Sequence, residues 1–206
     1  NLDKEFKKIN FIENYFDEQR FSHNNVYIGR SLIKRDFNQV LNLLNLDGKG
    51  GVNLIKKQNK SILKFYISAY QSYLWNSTVA ELLKEEGNYS EIDYSIGKFV
   101  FLDKKINNFK VPLLNFDTEF ESKEIENKYQ KIMKKEGITK NSFLIREIPE
   151  LINESDYRDV IIDVKIKSKF MEDELNLGKY KQVLEFNLPK GSYGTMVVKK
   201  TFLDFN

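Results

Sequence analysis

Three stretches of this 206-residue chain combine side chains that ordinary packing has no need to bring together. The first runs from Asn14 through Tyr15, Phe16, Asp17, Glu18, Gln19 and Arg20 to Phe21. Amide and guanidinium donors set between flat aromatic faces suit the reading and stacking of an extruded nucleobase, where stacking contributes ~1–3 kcal/mol per base. The same stretch would also serve as an edge strand whose aromatics are core. The second, residues 65–76, holds Phe65, Tyr66, Tyr70, Gln71, Tyr73, Trp75 and Asn76, and aromatics this dense at helical spacing are first of all core. In the third, residues 186–196, a turn of Leu188, Pro189, Lys190, Gly191, Ser192 and Tyr193 leads back into an apolar element.

Composition removes most other chemistries. There is no cysteine, so no thiol nucleophile, disulfide scaffold, zinc ribbon or iron–sulfur cluster. A single histidine, His23, argues against histidine metal sites and Ser-His-Asp triads, and its Ser22-His23-Asn24-Asn25 setting suits a surface loop better than a general base. Gly48-Lys49-Gly50-Gly51 is too short for a phosphate-binding loop and lacks the following hydroxyl, and Asp17 and Glu18, adjacent in sequence, would not converge on one substrate. No run approaches the ~18 apolar residues of a membrane-spanning helix. The net charge is only +3, yet residues 20–60 carry eight basic against two acidic side chains, a local +6. Such a window either presents a field to a polyanion or forms a solvated face with a basic loop.

The elements that must position these residues follow from periodicity. A short helix is expected at residues 3–10, then a strand over residues 11–21 and a loop at residues 22–25. Leu32, Ile33, Phe37, Val40, Leu41 and Leu44 have helical spacing up to the glycines at 48, 50 and 51. The longest helix is expected over residues 61–86, with Ser61 as N-cap and Gly87 as stop. Short strands follow over residues 91–120, then an amphipathic helix over residues 121–136 ended by Gly137. Residues 160–164 and 183–188 are strand-like, while residues 193–202 fit either a strand or a helix. Helices and strands interleave without regular alternation, which favours an α+β fold over a doubly wound sheet.

Taken in order, the three stretches resemble the pseudouridine synthase D (TruD) family. The family's Asn-x-Phe signature, usually followed by Gly-Glu-Gln-Arg-Phe-Gly, appears as Asn14 through Ser22, with Asp17 and Ser22 in place of the two glycines. Its Ser-Ala-x-Gln-Ser-x-Leu-Phe-Asn helix appears as Ser68 through Asn76, with Trp75 at the aromatic position. Its closing Leu-Pro-x-Gly-Ser-Tyr-Ala-Thr appears as Leu188 through Thr195, with Gly194 for alanine. Ile28-Gly29-Arg30, Val111-Pro112-Leu113 and Tyr157-Arg158 fall in the expected order between them.

The resemblance implies an α+β pseudouridine synthase core with a mixed, largely antiparallel sheet, incomplete here and interrupted by a TruD-specific insertion. Residues 1–46 would belong to the core, 47–155 to the insertion, and 156–206 would return to the core. It implies a cytoplasmic isomerase that turns uridine into pseudouridine in tRNA, at U13 of the D arm, without cofactor or metal. Asn14, Phe16, Gln19, Arg20, Phe21, Ser192 and Tyr193 would line the base pocket, Arg30, Lys34, Arg35, Gln71 and Arg158 would contact RNA, and Arg20, Arg30, Lys34 and Arg35 would contribute phosphate contacts. The family's nucleophilic aspartate lies in a Gly-x-Lys-Asp segment upstream of the signature, and nothing before Asn14 matches it. With Asn1 rather than Met at the start, the chain is expected to be the C-terminal portion of such an enzyme, inactive without its N-terminal part. Two alternatives are an RNA-binding module that uses the basic and aromatic surface without chemistry, and a structural domain whose aromatics are all core.

Overall fold

The computed structural model describes residues 6, 8–22, 24–46, 50–152 and 155–203. His23 and Gly48-Lys49, and most of the helix expected at residues 3–10, lie outside them. In chain order the elements are strand β1 (Phe11–Glu13), helices α1 (Asn25–Lys34), α2 (Phe37–Leu43), α3 (Val52–Lys56) and α4 (Lys60–Leu83), strands β2 (Tyr89–Tyr94), β3 (Gly97–Leu102) and β4 (Lys110–Pro112), helix α5 (Lys123–Glu136), strands β5 (Tyr157–Asp159), β6 (Ile161–Asp163), β7 (Lys167–Glu172) and β8 (Tyr180–Glu185), and helix α6 (Gly194–Thr201). The described strands form four antiparallel pairs, β1 with β6, β2 with β3, β4 with β5 and β7 with β8. The fold is α+β.

Helix α4 is the spine. Asn59 rather than Ser61 caps it, its Oδ1 accepting from the Ser61 amide at 2.8 Å. Leu63, Ile67, Tyr70, Leu74, Trp75, Val79 and Leu83 are all buried, and so are Gln71, Ser72, Asn76 and Thr78 between them. A helix buried on most of its circumference shows little amphipathic bias, and the stripe that periodicity draws through Ile62, Tyr66, Ala69, Tyr70, Tyr73, Ser77 and Ala80 is not its buried face, Ile62 being exposed. Helix α5 is the opposite case, with one apolar stripe, Ser122 capping its first turn through the Ile125 amide and Gly137 after its last.

Helix α1 crosses α4 at Gly29. A Cβ there would lie 2.0 Å from the Tyr66 carbonyl oxygen and 3.0 Å from the Tyr70 Cβ, so only glycine allows this approach. The helix begins at Asn25, where a loop was expected, and the helical pattern from Leu32 to Leu44 is broken at Arg35, whose φ of 60° is left-handed. Asp36 then caps α2 by accepting from the Gln39 amide. The strand expected over residues 11–21 is three residues long, because the chain leaves its partner after Glu13 and curls into a 3-10 turn at Glu18–Arg20. The strand expected at residues 183–188 is β8, one arm of a hairpin with β7 that the sequence pattern did not reveal.

Residues 157–163 form the ribbon that gathers the fold. β5 pairs with β4 on one side and β6 with β1 on the other. At the step between them the Val160 amide donates to the Phe109 carbonyl at 2.9 Å and its carbonyl accepts from the Asn14 amide at 2.8 Å. One hydrophobic cluster draws on all three parts of the chain, from Ile12 and Leu32 through Leu74, Phe101 and Ile145 to Ile162 and Val197.

Two consecutive lysines fasten α6 to the beginning of the chain. Lys200 donates to both oxygens of the fully buried Glu13 at 2.9 Å, and its ammonium lies 3.4 Å from the Phe11 ring centroid. The Leu102 amide donates to the same carboxylate at 2.9 Å. Burial raises the Glu13 pKa and lowers that of Lys200, and in each case the partner opposes the shift. Lys199 donates to Asp17 at 2.6 Å and to Glu18 at 3.1 Å, and the Thr195 hydroxyl donates to the second Asp17 oxygen.

Gly29→Ala should destabilise the protein by ~1–3 kcal/mol despite alanine's better helix propensity, because the obstructing Tyr66 carbonyl is helix backbone and cannot move aside. A denaturant midpoint equal to wild type would contradict this. Burial alone would raise the Asp17 pKa, but hydrogen bonds from Lys199, Thr195 and the Glu18 amide, with the Lys199 charge, lower it below its ordinary value. An acid whose pKa is lowered by folding stabilises the fold above its unfolded pKa of about 3.9 and loses that contribution as pH falls through the lower folded value. The stability deficit of Asp17→Asn should therefore be full near neutrality and shrink below about pH 4. Thermal unfolding of both proteins against pH checks this, and a deficit independent of pH would refute it.

Candidate nucleobase site

Three remote segments meet around Phe16, and a half-buried guanidinium joins them. Arg158 of β5 donates from Nε to the Asn14 carbonyl at 2.7 Å, from Nη2 to the Asn14 Oδ1 at 2.8 Å, and from Nη1 to the Gly191 carbonyl at 3.0 Å. Asn14 completes its amide by donating from Nδ2 to the Asp159 carbonyl at 3.0 Å. Gly191 has a φ of 88°, a turn conformation that lets the 188–193 loop present its carbonyl to Arg158. The Arg158 guanidinium carbon lies 4.0 Å from the Phe16 ring centroid and 5.5 Å from the Trp75 ring. Burial pushes the Arg158 pKa down to about 10; Tyr193 opposes the shift, the like charge of Arg20 adds to it and Asp159 opposes it. The group stays cationic at neutral pH.

Phe16 is held from the other side by α4. Its amide donates to Asn76 Oδ1 at 3.0 Å, and Asn76 Nδ2 donates to its carbonyl at 2.8 Å, so a buried side-chain amide takes the place of a neighbouring strand. Trp75 meets the Phe16 ring edge-on at 5.7 Å and Tyr193 at 6.3 Å. Trp75 is fixed in turn by donating from Nε1 to the Val111 carbonyl at 3.0 Å. Arg20 lies over Phe65 at 4.8 Å and approaches Phe16 at 6.0 Å. The arrangement is an aromatic cluster in which Phe16, 8% exposed, lies beneath the Arg158 guanidinium, bordered by a second guanidinium and fixed amides, groups of the kind that stack on and hydrogen-bond a planar heterocycle in an anionic ligand.

Of the expected pocket residues, Asn14, Phe16, Arg20 and Tyr193 are therefore together, with Ser192 beside Tyr193, and Arg158, expected at RNA, stands at their centre. Gln19 is exposed on the 3-10 turn. Phe21 and Gln71, expected in the pocket and at RNA, are instead spent on the protein itself. Phe21 is buried and stacked on Tyr94 at 5.7 Å, and Gln71 is buried and donates to the Leu114 carbonyl at 2.9 Å. On α1, Arg30 pairs with the buried Glu136 at 2.8 Å, and Arg35 donates to the Leu144 carbonyl at 2.5 Å and pairs with Glu147. Lys34 is exposed to solvent. Sequence reasoning missed Asn76, Asp17, Thr195 and Lys199 as supports; Asn76 was within reach as the last residue of the second motif, whereas Lys199 left no local signal.

No carboxylate of the Phe16 loop is uncommitted. Asp17 is taken by Lys199, Thr195 and the Glu18 amide, and Glu18 by Lys199 and the Ser95 amide at 3.3 Å. A cleft of about 460 Å³ between α4, α5 and the β2–β3 turn shares no lining residue with this cluster. Its Lys84 and Lys128 are neutralised by Glu81, Glu91 and Glu85. Among the described residues no helix is long and apolar enough to cross a membrane.

Comparison with known proteins places the chain among relatives of one family. A protein named "Probable tRNA pseudouridine synthase D 2" from Methanocaldococcus jannaschii is 29% identical over 253 aligned residues, covering 92% of this chain and 60% of that protein. The tRNA pseudouridine synthase D of Aquifex aeolicus is 22% identical over 92% of this chain and 61% of its own length. The chain thus spans about 60% of the length of both relatives. A Methanosarcina mazei crystal structure described as TruD shares the fold, with a TM-score of 0.66 at 21% identity over 94% of this chain and 61% of that one. The family model for tRNA pseudouridine synthase D matches residues 39–201, most of the chain and two of its three motifs, and the chain therefore belongs to the TruD family.

Proposed function

We propose that this chain supplies one wall of the base pocket of an RNA pseudouridine synthase that isomerises uridine in tRNA, with U13 of the D arm as its target. The observation that carries the reading is the Arg158 clamp, which brings Asn14, Phe16 and the Ser192-Tyr193 turn from three distant segments around one aromatic face. In this reading Phe16 packs against the extruded uracil, Asn14 orders the pocket, and Arg158 keeps both in place while offsetting the charge of the RNA. Enclosing an extruded base is how enzymes reach a reacting atom that the stack would otherwise hide.

The reaction needs a carboxylate nucleophile, and those of the Phe16 loop are held in ion pairs and hydrogen bonds. We assign the nucleophile to a segment outside these 206 residues, so that the chain is inactive alone. Residues 1–46 and 156–206 then belong to the catalytic core and 47–155 to the insertion, with Lys34 as a phosphate contact at the passage between them. A non-catalytic RNA-binding module would use the same aromatic and basic surface, and turnover separates the two readings.

Incubated with an unmodified tRNA transcript, the 206-residue chain should form no pseudouridine while the full-length enzyme does; efficient turnover by the chain alone would overturn the assignment of the nucleophile. In the full-length enzyme, Arg158→Lys keeps the charge but loses the fork, and kcat/KM for tRNA should fall on the order of 10- to 100-fold. Unchanged kinetics would remove Arg158 from the pocket.

A further inference from the structure

Arg20 differs from the other cations around Phe16 in what it lacks. Arg158 has three acceptors, Lys199 has two carboxylates and Lys200 has Glu13. The Arg20 guanidinium makes no hydrogen bond or ion pair with any described residue, and its Nε is buried without a partner. It is held in place by ring faces, 4.8 Å from the Phe65 centroid and 6.0 Å from that of Phe16. Arg20 is half-buried, and cation–π contact offsets only part of the cost of leaving its buried Nε donor unmet. A second buried donor nearby is also unmet, the hydroxyl of Ser192, in the loop that Arg158 fastens and next to Tyr193, which contacts Phe16.

The partner that a guanidinium favours is an anion. The like charge of Arg20 acts on Arg158, both lie beside Tyr193, and the carboxylates Asp17 and Glu18 are paired with Lys199. Neither guanidinium is in an ion pair with a described carboxylate: Arg158 is met by neutral oxygens, with Asp159 close by, and Arg20 by none. The edge of a uracil is neutral and would leave their charge as it is. A phosphodiester supplies a full negative charge and several acceptor oxygens, which match the planar fork of an arginine together with a hydroxyl. A base swung out of its stack stays tethered to its own backbone, so a base against Phe16 brings its flanking phosphates close to the same place.

The geometry points to a phosphodiester subsite formed by Arg20 and Ser192, which holds the backbone phosphate flanking the nucleotide whose base rests on Phe16. This rests on the RNA reading above and assigns Arg20 to the backbone rather than to the base. Phe65 is part of the subsite: by occupying one face of the guanidinium it turns the N–H edge toward the ligand.

The test uses the full-length enzyme and a set of RNA strands of the target arm in which each phosphodiester in turn is a neutral methylphosphonate, with binding and turnover measured on the same strands. In wild type one position beside the target uridine should weaken binding ~10- to 100-fold. In Arg20→Ala that position should become no more sensitive than the rest, and the slope of log affinity against log salt should fall by about 0.7, one phosphate contact on a single strand. Arg20→Lys should keep the salt slope but only part of the positional effect, and Ser192→Ala should give a smaller loss at the same position. Matching thermal unfolding of wild type and Arg20→Ala excludes a folding defect. If wild type turns over but no position couples to Arg20, the subsite is overturned and the synthase reading stands. If Arg20→Ala abolishes turnover with the phosphate profile unchanged, Arg20 serves the reacting groups and the subsite is likewise overturned. If wild type neither binds nor modifies any strand, it is the synthase reading that fails.

Discussion

A single half-buried guanidinium holds this site together, and most of the fold around it can be understood as the means of giving it fixed partners. Arg158 spends three donors on two carbonyls and one carboxamide, joining residues 14, 158 and 191. Withdrawing a charge from water costs several kcal/mol, and neutral acceptors recover that without cancelling the charge. The protein therefore keeps a partly desolvated positive charge 4.0 Å from an aromatic face. In a low-dielectric surround such a charge acts on an anionic ligand more strongly than an exposed lysine would. Arg20 repeats the device without acceptors.

The rest of the architecture gives Arg158 fixed partners. The 157–163 ribbon places its backbone between β1 and β4. Asn76 holds Phe16 from behind with a pair of hydrogen bonds, and Trp75 is tied to β4 through Val111. At the far side, the ion pairs of Lys199 and Lys200 fasten α6, and with it the loop that contributes Gly191 and Tyr193. A buried ion pair contributes little net stability compared with apolar packing, but it allows only one register. Here the register decides whether Tyr193 reaches Phe16.

Short-range signals were legible where one residue type does one local job. The amphipathic α5 and the glycine after it follow from local pattern, as does the approximate extent of α4. The break at Arg35 did not, because a left-handed residue other than glycine carries no compositional mark. Nor did the β7–β8 hairpin, whose strands alternate charged and apolar residues on both faces with little burial to set a period. The roles of Phe21 and Gln71 were not legible either: an aromatic or an amide in a motif looks the same whether it faces a ligand or, as here, Tyr94 and the Leu114 carbonyl.

By itself the sequence determined the chemistry this chain can offer. It has no thiol and one histidine, and three aromatic, amide and arginine motifs in a fixed order, because these depend only on which residues are present and how they are spaced. Tertiary structure decided which of those residues share a site and which are spent. Asn14 and Arg158 lie 144 positions apart, Asp17 and Lys199 182 apart, and no periodicity couples residues at such separations. Their meeting is set by strand register and by the need of each buried polar group for a partner, and both exist only once the core has closed.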